Sequence, residues 1–166
     1  MKNLMLLLSF TLLIGCIKFE SDKAQNVHSP DKLIYSAWSY IGMSERYDRH
    51  HLYELLTVDP VTTQWCAAFV NTVLTENNIP TSEHNLLARS FLTWGDPVAR
   101  EDIQKGDIVI FPRGNRAWQG HVGFYVGSTK IGNVEFYSIL GGNQENRVSI
   151  DLYHANRAIG IRRYIP

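Results

Sequence analysis

The apolar residues of this chain change period once, and that change limits the fold more than any other feature. Up to about residue 95 they recur at helical spacing. From residue 107 onward they come as short β-branched runs bounded by glycine. Leu33, Ile34, Ala37, Trp38 and Ile41 form one helical stripe, opened by Pro30-Asp31 and ended by Gly42. A second runs near Leu52 to Leu56, before the Asp59-Pro60 break. A third carries Trp65, Ala68, Phe69, Val73 and Leu74, with Thr62 or Thr63 as its expected cap and Asn77-Asn78 as its frayed end. Ala88 to Trp94 is a short fourth, stopped by Gly95 and Pro97.

The strand runs are Asp107–Phe111, His121–Val126, Val134–Leu140 (closed by Gly141-Gly142), Val148–Ile150 and Ala158–Ile165. Helices first and strands afterwards predict an α+β domain, with helices packed on a mainly antiparallel sheet of about five strands.

The 166 residues are enough for one core, and 45% apolar with 19% charged is the balance of an ordinary globule. Lysine plus arginine equals aspartate plus glutamate at 16 each, so no basic excess points to nucleic acid. Arg113 with Arg116, and Arg157 with Arg162 and Arg163, read as solvated surface.

Lys2 followed by the apolar stretch Leu4–Ile14 is too short to span a bilayer, which takes about 20 residues, but it suits a signal-peptide core. It ends in Leu13-Ile14-Gly15-Cys16, which resembles a bacterial lipobox. The expected organisation is an export signal over 1–15, a lipidated Cys16 with a polar tether over 16–30, and a domain over 31–166. The product would be anchored in the envelope, on the periplasmic side. Ile17, in place of an aspartate after Cys16, favours the outer membrane over the inner in a Gram-negative host. If Cys16 carries lipid, Cys66 is the one thiol left of the two cysteines, in a compartment where thiols usually pair.

Cys66 falls in the first turn of its helix, where unpaired N–H groups and the helix dipole favour a thiolate. His121 begins a strand after Gly120, and Asn143 follows Gly141-Gly142 at the end of the next strand. Each has an ordinary alternative: a packed cysteine, a surface histidine, an asparagine serving a turn. Together they supply a nucleophile, a base and an orienting group, each on its own element.

Trp65-Cys66-Ala67-Ala68-Phe69-Val70-Asn71, Ala88-Arg89-Ser90 with Trp94-Gly95, Gly106-Asp107-Ile108-Val109, Gly120-His121-Val122-Gly123-Phe124-Tyr125 and Leu140-Gly141-Gly142-Asn143-Gln144 follow in order. These blocks resemble the papain-like cell-wall hydrolases, the superfamily of NlpC-type peptidases and CHAP-type amidases. The resemblance covers residues 31–166. It implies hydrolysis of peptide or amide bonds in peptidoglycan stem peptides, with Cys66 as nucleophile, His121 as base and Asn143 as orienting residue. The run Trp65-Cys66-Ala67-Ala68 departs from the Asp-Cys-Ser-Gly usual in the NlpC group, and this bears on the scissile bond.

Gln144, Tyr53, Trp65 and Trp94 are further candidate substrate or oxyanion contacts, Trp94 as core or groove wall. Trp38 and Trp118 are read as core or groove wall. No cofactor is implied, and the remaining histidines lack the spacing of a zinc site. The rival functions are a non-catalytic peptidoglycan-binding lipoprotein of the same fold and an acyltransferase of related fold.

Overall fold

The computed structural model describes residues 29–166. The predicted export signal, the Cys16 lipid site and the tether as far as residue 28 lie outside them. Helices α1 (Pro30–Trp38), α2 (Arg49–Leu56) and α3 (Cys66–Glu76) come first, then a 3-10 turn over Ala88–Thr93. The strands are β1 (Asp96–Pro97), β2 (Ile108–Pro112), β3 (Gly120–Ile131), β4 (Val134–Gln144), β5 (Arg147–His154) and β6 (Gly160–Arg163). They form one antiparallel sheet in the order β1-β6-β2-β3-β4-β5. This is the expected α+β arrangement. The strand beyond about five is the two-residue β1, which is too short to leave a periodic signal.

Each face of the sheet has its own apolar cluster. Ile108, Ile110, Val122, Phe124 and Leu140 point toward the helices. Val109, Phe111, Tyr125, Tyr137, Ile139 and Ile161 face the other way, beneath the turn at Ala155–Arg157. Strand β2 is therefore buried on both sides, which explains its unbroken apolar run. Helix α1 buries Leu33, Ile34 and Ala37 but stops at Trp38, which is exposed together with Ile41. The apolar stripe is thus narrower than its spacing suggests, and Trp38 is neither core nor groove wall.

Helix α3 is buried nearly all round, and Ala67 and Ala68 keep it slender enough to lie against β3 and β4. Its first turn meets the backbone of Gly142. A Cβ added there would stand 2.7 Å from the Phe69 Cβ and closer still to the Trp65 ring. Gly142→Ala is therefore expected to destabilise by about 1–3 kcal/mol through overpacking, read as a lower denaturation midpoint at unchanged slope.

Candidate active site

Helix α3 opens at Cys66. Thr62 and Thr63 lie in the preceding turn, not at the cap, and Trp65 occupies the cap position without donating or accepting through its side chain there. The first-turn N–H groups consequently stay available. Those of Cys66 and Ala67, together with the N–H of Val122 on β3, point at the Cys66 sulfur and favour its anionic form. Burial works the other way and wins: only 3% of Cys66 is exposed, and its thiol pKa is pushed above the ordinary value. The resting group is a neutral thiol poised beside donors that strengthen as charge develops.

His121 is the residue before Val122 and is 1% exposed. Its ring stacks on Tyr153 at 5.2 Å between centroids and 15° between planes, and Tyr153 stacks in turn on Phe111 at 4.7 Å. Its Nε2 lies 3.0 Å from Gln144 Oε1. The Gln144 amide nitrogen donates to the carbonyls of Ile139 (3.3 Å) and Ser149 (2.8 Å) and to Ser149 Oγ (3.1 Å). With its nitrogen so engaged, Gln144 offers only its oxygen to the ring, so Nε2 carries the proton and donates. The lone pair is left on Nδ1, a buried atom without a hydrogen-bond partner among the described residues. Burial first, and then the positive charge of Arg113, hold the His121 pKa down to about 4 against the opposing pull of Gln144. At neutral pH the ring is uncharged and able to accept a proton.

Gln144, not Asn143, makes the imidazole contact expected of an orienting group. Continuing the Phe124↔Leu140 pairing along β3 and β4 would set Asn143 opposite His121. A bulge intervenes: the β4–β5 register shifts between Gly141 and Gln144, and Asn143 adopts a left-handed φ of 56°. The extra residue turns Gln144 to the ring. Asn143 instead donates through Nδ2 to Gln64 Oε1 (3.2 Å), and its carbonyl accepts from Arg113 Nη2 (3.0 Å). It ties together two walls of the cleft.

That cleft, of about 310 Å³, is lined by Cys66, Gln64, Arg113, Trp118 and Gln119 together with Leu86 and Leu87. Trp118 is 59% exposed there, a groove wall as expected. The other aromatic candidates do not reach it. Trp65 is fully buried, and its indole N–H donates to Glu45 at 2.7 Å. Trp94 donates to the Pro80 carbonyl and lines a separate hollow with Leu74 and Tyr164. Tyr53 borders a third hollow with Arg49, His50 and Asp59. Bulky aromatics beside the motif are absorbed by packing, which spacing alone does not reveal.

Arg113, Gln64 and Tyr153 went unrecognised in the sequence. Arg113 stands on a loop whose composition reads as surface. Tyr153 is separated from His121 by the whole of β4 in the sheet order, so nothing local in the sequence links the two rings that stack in the fold. Among the described residues, no group of three or more His, Cys, Asp or Glu is placed to hold a metal ion.

No protein-family model matches this chain, and no curated protein matches it. Among solved structures, an NlpC/P60 family protein from Bacillus cereus is similar with a TM-score of 0.53 at 20% identity. The match covers 83% of this chain and 41% of that one, so this chain spans well under half of its neighbour's length. The likeness shows the fold: helices on an antiparallel sheet, arranged as in that protein.

Proposed function

We propose that this chain is a cysteine hydrolase that cleaves peptide or amide bonds of peptidoglycan stem peptides, held at the cell envelope by lipid on Cys16. The observation that carries the reading is a thiol at Cys66 with backbone N–H groups aimed at its sulfur, one of them from Val122, next in the chain to His121, whose Nδ1 is buried without a hydrogen-bond partner among the described residues. The fold of an NlpC/P60 family protein supports the substrate class.

The chemistry follows from the protonation states. His121 Nδ1 takes the thiol proton as the sulfur lone pair forms a bond to the scissile carbonyl carbon, and the π electrons move to oxygen. The N–H groups at the start of α3 stabilise that oxyanion, worth about 3–4 kcal/mol per donor in comparable sites. Gln64 can add a further donor, because its oxygen is held by Asn143 and its NH₂ end is left for substrate. The tetrahedral carbon then collapses, the carbon–nitrogen bond breaks, and the imidazolium returns its proton to the leaving amine. His121 next deprotonates a water that attacks the thioester, releasing the acid and the thiol.

An acyltransferase of related fold would be favoured by a deep apolar tunnel. The cleft at Cys66 is lined by Gln64, Arg113 and Gln119 as well as by apolar residues. The deciding experiment incubates peptidoglycan sacculi with the protein and with Cys66→Ala, following new amino groups and released muropeptides. Product from the wild type alone supports hydrolysis through Cys66, and fragment masses identify the bond. Equal product from both removes Cys66 from the mechanism.

A further inference from the structure

Among the described residues Arg113 makes one hydrogen bond, from Nη2 to the Asn143 carbonyl. A guanidinium has five N–H donors in a planar fork, so most of its capacity is unused. No carboxylate pairs with it among the described residues. The cleft that it lines with Cys66 contains no aspartate or glutamate. Its charge nevertheless acts on Cys66, His121 and Tyr153 alike, so it stands close to the reacting atoms. A half-buried cation aimed into a cleft without a counter-charge, beside a nucleophile, has the features of an anion site.

We propose that Arg113 is a carboxylate-binding site beside Cys66, selecting acyl substrates that carry a free carboxylate close to the scissile bond. The inference rests on the hydrolase reading and narrows its substrate class. The planar fork fits the two oxygens of a carboxylate, and docking there sets the neighbouring carbonyl over the sulfur. Trp118 and Leu86, both exposed at the same cleft, supply apolar walls for the stem of such a substrate. The competing role for Arg113 is purely electrostatic: it lowers the thiol pKa and binds nothing.

Alkylation of Cys66 separates the two roles without requiring turnover. Rates with iodoacetate (anionic) and iodoacetamide (neutral) are measured at Cys66 by peptide mapping, so that Cys16 does not contribute. Their ratio is taken relative to free cysteine. A change in thiol pKa alters both rates together and cancels in the ratio. A carboxylate site raises the wild-type ratio by about tenfold or more, and added salt lowers it. Arg113→Gln should bring the ratio near that of free cysteine, and Arg113→Lys, which keeps the charge without the fork, should fall between. A ratio unaffected by Arg113→Gln in a variant that folds normally overturns the proposal.

In the second arm, sacculi with carboxylates converted to amides should be cleaved about tenfold more slowly by the wild type, through KM. Arg113→Gln should discriminate little between the two substrates. A shifted alkylation ratio without any hydrolysis leaves the carboxylate site standing and removes the hydrolase reading. Hydrolysis with an unshifted ratio does the reverse.

Discussion

Gln144→Leu is expected to slow hydrolysis by about 10²–10³-fold, well short of the loss from removing the nucleophile. The amide oxygen is the partner of His121 Nε2, and it alone keeps the lone pair on Nδ1. Without it the ring can carry its proton on Nδ1, where it cannot accept one from the thiol. In a serine protease triad, the comparable loss of the correct tautomer costs about 10⁴-fold; a neutral amide partner justifies a smaller figure. The substitution also strands the carbonyls of Ile139 and Ser149, costing about 1–3 kcal/mol per unsatisfied group, so rates must be taken per folded molecule.

Asn143→Ala is the control. It leaves the imidazole contact intact, loosens Gln64 and should change kcat by less than about tenfold. Loss of activity in Asn143→Ala with a near-normal Gln144→Leu would assign the orienting role to Asn143 after all.

Acidification should remove about 3 kcal/mol of stability between pH 6.5 and pH 4. The folded His121 pKa is lowered from 6.5 to about 4, so between those values the unfolded chain binds a proton that the native state refuses. The stabilising contribution is complete above pH 6.5, declines as pH falls, and changes no further below about pH 4. At 1.36 kcal/mol per pH unit the interval amounts to about 3 kcal/mol. Urea denaturation of wild type and His121→Gln across this range isolates the term, because the difference between the curves should flatten above pH 6.5. A pH-independent difference would mean that His121 is hydrated and not sealed beneath Tyr153. The same pKa places the acid limb of kcat/KM below pH 5, where an ordinary histidine would place it near 6.5.

The local settings of Cys66 and His121 were legible because they follow from short-range chemistry. A cysteine in the first turn of a helix meets backbone donors wherever that helix lies. A histidine opening a strand after glycine is held on a rigid element. The third member was not legible, since the choice between Asn143 and Gln144 depends on one extra residue in β4. Strand side chains alternate faces, so a bulge of one residue moves the neighbour into place, and no local propensity announces it. Arg113 was missed for a related reason. Composition describes the loop between β2 and β3 as polar surface, and only the folded chain reveals that this arginine leans over the cleft instead of into solvent.

Taken from residues 29–166 alone, the order of helices and strands, the antiparallel pairing and the elements that bear Cys66 and His121 are properties of the sequence. They arise from periodicity and turn chemistry within about a dozen residues. Tertiary structure decided that Gln144 and not Asn143 meets the imidazole, that the thiol rests neutral, and where a cation stands without a counter-charge among the described residues. Those outcomes depend on burial and on strands distant in the chain, and desolvation is felt only once the folded sheet has buried the ring beneath Tyr153.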